Sequence, residues 1–188
     1  MQTIDYAGKR SGNATFNATS NGSWQLTGAW GTSTAVNTIT FTQGTLDTNG
    51  QTIICNLWSS NGTAVRTWTM GSSSITIKTS STSALNIVTT NMTITANTAI
   101  FTLEAGGAAT SGANMNGSSI VFSGAGTQRI LGGTWLNVTR TGTAVKTGEF
   151  TPSSTTITGT LAINGNSATN RILVESPALG TASILTAA

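Results

Sequence analysis

Short stretches of this chain alternate strictly between hydrophobic and polar residues. In residues 38–42, Thr-Ile-Thr-Phe-Thr, Ile39 and Phe41 share one face of an extended segment and the threonines share the other. The same period of two recurs in segments 67–70, 75–77, 85–87, 92–95, 101–103, 120–122, 136–138, 161–163 and 172–174. Such alternation predicts half-buried strands. Because Thr, Ser and Gly replace the strong helix formers, the sequence predicts an all-β fold with essentially no helix.

Two pairs of similar segments indicate that the strands belong to repeated turns. Residues 62–67 (Gly-Thr-Ala-Val-Arg-Thr) recur at 142–147 with Lys in place of Arg, and the pattern Gly-Thr-Leu-x-x-Asn-Gly occurs at 44–50 and at 159–165. We interpret each pair as equivalent corners of a coil whose turns stack on one another. Thr, Ser and Asn side chains can hydrogen-bond in columns along such a stack. Neighbouring turns lie about 4.8 Å apart, so like charges at equivalent positions would repel, and the chain has few charged residues. The sequence therefore predicts a parallel β-helix, or β-solenoid.

An antiparallel β-sandwich is the alternative fold. Asn-Gly pairs at 49–50, 61–62, 116–117 and 164–165 are typical of tight hairpin turns. The two folds differ in the pairing of segment 38–42, which is parallel to a later turn in a solenoid and antiparallel to its sequence neighbour in a sandwich.

The chain divides by pattern into two parts. Residues 1–35 are turn-rich and weakly patterned, and we expect an irregular N-terminal arm or cap there. Residues 36–188 form the predicted solenoid domain. Its last residues, 183–188, are apolar and strand-like, so we expect this end to be open and covered by a partner or by further chain.

Composition excludes several classes of function. Charged residues make up 7% of the 188 residues, the net charge is +3, and among eight basic residues only Lys9 and Arg10 are adjacent. A nucleic-acid-binding surface needs a basic cluster, so no nucleic-acid partner is expected. No apolar run approaches the length of a membrane-spanning helix.

Candidate chemistry is sparse. The chain has no His, and Cys55, its single cysteine, reads as a buried and inert thiol. Glycoside hydrolysis needs two carboxylates about 5 to 9.5 Å apart, and the complete supply is Asp5, Asp47, Glu104, Glu149 and Glu175, well spread along the sequence. We read Asp47 as an Asx-turn residue. The prediction is a non-enzymatic protein with no catalytic residue, no metal and no cofactor.

Two tryptophans are the candidate contact residues. Trp58 follows Leu57, which reads as inward-facing, and Trp135 precedes Leu136, so alternation predicts that both indoles point outward. Trp68 alternates with Met70 and is expected inside. Outward Trp58 and Trp135 are candidates for a surface that contacts a sugar or another protein.

Residues 41–52, 135–142, 161–165 and 171–176 resemble turns of a widespread β-solenoid family. The resemblance covers about residues 36–186 and is to the right-handed parallel β-helices of phage virion proteins and bacterial surface proteins. It implies a structural or interaction component of a virion, such as a tail fibre, spike or capsid decoration, that forms homo-oligomers and contacts other virion proteins. It carries over no catalytic position.

Two alternatives remain open at this point. One is a glycan-binding or adhesive module, on the bacterial cell surface or secreted, and the other is a polysaccharide-degrading tailspike. Ice binding by flat threonine ladders is a variant that the unequal repeat offsets disfavour, since lattice matching needs a strict period.

Overall fold

The chain winds into a β-solenoid of about seven turns. The computed structural model describes residues 1–9, 12–18, 22–34, 37–142, 149–169 and 171–187, and these contain strands and turns but no helix. In chain order the strands are β1 (Gln2–Ile4), β2 (Ala14–Phe16), β3 (Ser23–Leu26), β4 (Thr38–Phe41), β5 (Gly44–Asp47), β6 (Thr52–Cys55), β7 (Leu57–Ser60), β8 (Arg66–Thr69), β9 (Ser74–Ile77), β10 (Leu85–Ile87), β11 (Met92–Thr95), β12 (Ile100–Leu103), β13 (Ala108–Ala109), β14 (Asn114–Phe122), β15 (Gln128–Leu131), β16 (Thr134–Thr141), β17 (Glu149–Ser153), β18 (Thr155–Ile157), β19 (Leu161–Asn164), β20 (Leu173–Val174) and β21 (Leu185–Ala187).

Three parallel sheets run along the solenoid. Sheet A has the order β1-β3-β5-β8-β11, sheet B the order β2-β4-β7-β10-β13-β15-β17-β20, and sheet C the order β6-β9-β12-β14-β16-β18-β21, with β19 also on β16. Strand β4, which decides between the two predicted folds, pairs parallel with β2 and with β7. The predicted solenoid is confirmed, and the antiparallel sandwich is excluded.

The sheets continue across the expected domain boundary at residue 35. Strands β1 and β3 extend sheet A in parallel, β2 extends sheet B, and Trp30 forms a parallel bridge to Ile53 at the start of sheet C. The expected irregular arm is therefore corrected: its described residues form the first turns of the solenoid.

The core consists of inward side chains that stack in columns along the axis. In sheet A, Leu46 lies beside Trp68, and in sheet C, Ile75 lies beside Phe101, which lies beside Ile120. These five side chains are fully buried. Because parallel in-register strands place equivalent positions side by side, strict alternation becomes a continuous apolar column. The predicted inward positions Ile39, Phe41, Trp68 and Met70 are confirmed.

The predicted outward orientation of two tryptophans is wrong. Trp58 is 1% exposed and Trp135 is fully buried. The chain turns a corner at Asn56, between β6 and β7, which resets the inside-outside phase, so Leu57 faces out and Trp58 faces in. In β16 the half-buried pair 136–137 separates buried Trp135 from buried Val138, because β14 and β16 have an irregular register there. Such an irregularity shifts the phase by one residue.

The two Gly-Thr-Leu segments do not mark equivalent corners. Strand β5, in the first Gly-Thr-Leu segment, belongs to sheet A, whereas β19, in the second, pairs with β16 of sheet C. The shared residues of these two segments therefore reflect similar local needs of strands and turns. The second copy of the Gly-Thr-Ala-Val segment, residues 142–147, lies outside the described residues except for Gly142, so the equivalence of that pair stays a prediction.

Sheet A ends part-way along the solenoid, at β11. Beyond it, the long strand β14 begins beside β11 and then continues into sheet C, with its register shift between Met115 and Ser119. Met92 and Ile94 of β11 face the core but stay partly exposed, because no further sheet A strand covers them. The outward surface of sheet A therefore has a defined extent, from β1 to β11.

We predict that Trp68→Ala lowers the free energy of unfolding by about 3–5 kcal/mol. Trp68 is fully buried, stacks on Trp58 with ring centroids 4.3 Å apart and an interplanar angle of 8°, and meets Phe101 edge-on. Urea unfolding followed by circular dichroism measures the change. Leu179→Ala, at a fully exposed position, is the control and should move the midpoint little; equal shifts in the two variants would contradict the proposed core.

Candidate functional site: an outward hydroxyl face

Hydroxyls at the corners of the solenoid bond to its own backbone. Buried Ser73 donates its hydroxyl proton to the carbonyl of Met70 at 2.6 Å, and its Oγ lies 2.8 Å from the Oγ1 of Thr48. Thr110 donates to the carbonyl of Gly132 in the next turn at 2.9 Å. Within the described residues, the Gly132 carbonyl accepts no backbone N–H, so Thr110 supplies its donor, whereas the Met70 carbonyl also accepts from the amides of Gly50 and Ser73. These hydroxyls are therefore structural and unavailable to a ligand.

Arg66 holds another corner without a carboxylate partner. Its guanidinium is fully buried and donates to carbonyl oxygens from two successive turns, those of Ser60, Gly62, Ala64, Val88 and Thr90. The Nη2 distances to the Val88 and Thr90 oxygens are both 2.9 Å. Burial lowers the pKa of Arg66. The planar fork of donors suits a ring of carbonyls, so Arg66 ties the turns together.

Arg140 does the same at a corner of sheet C. It is fully buried; its Nη1 donates to Gly124 at 2.8 Å and Thr141 at 2.9 Å, and its Nη2 donates to Gly126 at 3.0 Å. Burial lowers the pKa of Arg140 as well. Sequence reasoning counted both arginines only as scattered basic residues. Their burial is indicated in the sequence by a basic residue at a strand position that alternation assigns to the core, as in Val-Arg-Thr-Trp of residues 65–68, where the arginine alternates with the inward tryptophan.

The outward side of sheet A carries two columns of polar side chains, which we call the hydroxyl face. The first column is Ser23, Thr45, Thr67 and Thr93, and the second is Thr3, Gln25, Asp47, Thr69 and Thr95. Neighbours within a column lie on adjacent strands, about 4.8 Å apart, and the two columns lie about 6.6 Å apart along each strand. The face is therefore a regular grid on a stiff support.

Most hydroxyls of this face are free. Within the described part of the chain, Thr45, Thr67, Thr69, Thr93 and Thr95 make no side-chain hydrogen bond. They differ in this from the corner hydroxyls, which bond to the backbone. A free threonine hydroxyl can donate one hydrogen bond and accept two. The face therefore presents unused donors and acceptors beside threonine methyl groups.

The hydroxyl face is almost uncharged. Asp47 is its one ionisable side chain; its Oδ2 accepts from Gln25 Nε2 at 2.8 Å and its Oδ1 accepts from the backbone of Asn49 at 2.8 Å. The second bond is the Asx turn that the sequence predicted. Arg66, on the same strand as two face residues, points into the core.

A polar cleft adjoins the hydroxyl face where sheet A ends. It has a volume of about 550 Å³ and is lined by Ile94, Thr95, Ala96, Asn97, Thr98, Asn114, Asn116 and Gly117. Gly117 has φ 98°, and a Cβ there would lie 2.3 Å from the carbonyl oxygen of Asn97, so the close approach of the two turns requires glycine. Within the described residues, the Asn97 side chain and the Asn116 amide NH₂ have no bonding partner.

Four of the five carboxylates, counting Asp47, have separate partners. Glu104 pairs with Lys78 at 3.1 Å, Glu149 accepts from Thr127 at 3.0 Å, and Asp5 accepts from the backbone of Ala7 at 2.7 Å. Among the described residues, no three His, Cys, Asp or Glu side chains group as metal ligands would. The predicted buried state of Cys55 is confirmed, and burial raises the pKa of its thiol to about 12.

Comparisons with known proteins give no relative from which a role can be transferred: no family model matches the chain, and neither a curated protein nor a solved structure does. Within the described ranges, no helix has the length and apolar character needed to cross a membrane. The fold thus rests on the chain's own strand pairing.

We predict that Arg66→Met destabilises the protein by about 3 kcal/mol or more, because the variant loses the charged donors to several partly buried carbonyl oxygens at once. Chemical denaturation measures the change. Arg171→Met is the matched control, since Arg171 is exposed and its Nε donates one long bond, 3.5 Å, to Ala168. An Arg66→Met protein as stable as the control would refute the cross-linking role.

The Cys55 thiol should react with a maleimide only after unfolding. Its pKa is raised from 9.0 to about 12, so between these values the unfolded state loses a proton that the folded state keeps. The buried thiol therefore does not lower the free energy of unfolding below pH 9, and it lowers that free energy progressively as the pH rises from 9 toward 12. Denaturation midpoints of wild type and Cys55→Ala across this range measure it, and a slope equally steep in both would contradict the burial.

Proposed function

We propose that the protein is a non-enzymatic structural and interaction component of a larger assembly, and that this assembly is a virion. The observation that carries the structural role is the continuous parallel stacking of the turns, reinforced at the corners by buried Arg66 and Arg140. Each turn supports the next, so the solenoid is a stiff rod that displays flat sheet faces. The virion context rests on the resemblance of its turns to those of virion β-helices.

Exposed apolar side chains support a contact with another chain. Within the described residues, strands β20 and β21 each have one edge that pairs with no other strand, in sheets B and C. Leu173 and Val174 on β20 are 56% and 46% exposed, and Ile184, just before β21, is 65% exposed. Unpaired edges and exposed apolar groups favour association. The proposal therefore includes self-association or docking on another virion protein through this end.

Cysteine footprinting tests the proposal. Because Cys55 is buried, a single introduced thiol reports one surface: Thr67→Cys on sheet A, Ser59→Cys on sheet B, Thr102→Cys on sheet C and Ile184→Cys beside β21. In the purified monomer we expect all four thiols to react at similar rates. In virions carrying the chain, we expect the Ile184→Cys thiol to be protected by about tenfold or more, as burial restricts access to the thiolate.

The matched comparison is the same variant free and in the particle. A chain that is absent from purified particles and stays monomeric at high concentration would contradict the proposed function. Equal reactivity of all four thiols in the particle would contradict it too.

A further inference from the structure

We propose that the hydroxyl face and its adjoining cleft bind an uncharged, extended polysaccharide with a flat, ribbon-like chain. This inference rests on the proposed interaction role and gives sheet A its ligand class. The ligand would lie on the two threonine columns, and a chain end or branch would enter the cleft beside Asn97 and Asn116.

Hydrogen-bonding capacity is the first argument. Sugar hydroxyls both donate and accept, and a partner for them must do the same. Thr67, Thr69, Thr93 and Thr95 offer such groups, all free within the described residues, and the cleft adds the Asn97 side chain and the amide of Asn116. Sheet C also has free outward hydroxyls, at Thr76 and Thr102, but Ile54 and Val121 flank them in the same column. The two columns of the hydroxyl face contain no apolar residue.

Charge is the second argument. Asp47 is the one ionisable group of the face, and Gln25 and the Asn49 amide already hold its carboxylate. A polyanion such as an acidic glycan or a nucleic acid would find no cation on this surface. A polycation would find a single, already bonded carboxylate. The face is therefore complementary to a neutral ligand.

Shape and rigidity are the third argument. In-register strands β3, β5, β8 and β11 repeat the same outward positions at a fixed spacing. A surface with a regular repeat fits a ligand with a regular repeat, and β-branched threonines have little side-chain freedom to lose on binding. The threonine methyl groups can contact the CH-bearing faces of sugar rings, while the hydroxyls bond at the ring edges.

The test is retention on two insoluble neutral polysaccharides, microcrystalline cellulose and chitin, in the presence of excess albumin. The face variant combines Thr67→Val, Thr69→Val, Thr93→Val and Thr95→Val, which removes four hydroxyls while keeping the branched shape and strand preference. Asn97→Gly removes the cleft amide and suits the left-handed backbone there, φ 50°. The matched control is Thr76→Val with Thr102→Val on sheet C, whose hydroxyls are outward and equally free.

We expect wild type and the sheet C control to be retained on at least one of the two polymers. The face variant should lose about tenfold or more in affinity, since each neutral hydrogen bond contributes modestly and four are removed. Asn97→Gly should lose several-fold. Circular dichroism melting of each variant shows that the fold is kept.

Three outcomes would overturn the inference: retention on neither polymer, equal retention of the face variant and wild type, and loss of retention in the sheet C control to the same degree. Adsorption to ice crystals in place of the polymers would overturn it as well and would assign the face to ordered water. Footprinting separates the two proposals. If the Ile184→Cys thiol is protected in virions but the protein is not retained on either polysaccharide, the structural role stands and only this inference is refuted.

Discussion

Parallel stacking in register is the constraint on which the rest of this structure depends. Each side chain has a copy of its own position directly above and below it, so any property of one turn is multiplied along the axis. An apolar position becomes a column such as Ile75, Phe101 and Ile120, and an outward threonine becomes a column such as Thr45, Thr67 and Thr93. Charge multiplied in this way would repel, which accounts for a chain with 7% charged residues.

The corners face the opposite problem, because the sheet ladders end there and leave buried carbonyl oxygens. A short hydroxyl side chain such as Thr110 satisfies one of them, the carbonyl of Gly132. Where several carbonyls converge, one arginine donates to all of them, Arg66 at one corner and Arg140 at another. A buried arginine without a carboxylate is ordinarily costly. Here a ring of carbonyl dipoles takes the place of the missing anion, and two turns are joined by the same side chain.

The sequence was sufficient for the fold because alternation and small polar residues are local properties. It was insufficient wherever orientation depended on a corner. Trp58 lies just past a change of sheet, and Trp135 lies beside a register shift. Strict alternation from a neighbouring residue therefore predicted the wrong face for both indoles. The division of the strands among three sheets has no local signature either, which is why the echo between β5 and β19 suggested an equivalence that the pairing does not support.

The hydroxyl face had a readable signal, the Thr-x-Thr of residues 67–69 and 93–95 with a large apolar residue between. What the sequence could not supply was the register that places these segments side by side, or the fact that their hydroxyls are left unbonded. The same residue type thus has two fates. At a corner a threonine meets an unpaired carbonyl and its hydroxyl is used, whereas on a sheet face the backbone is already paired and the hydroxyl is free. Free hydroxyls in this solenoid therefore lie on the sheet faces, since the corner hydroxyls bond to the backbone of the turns.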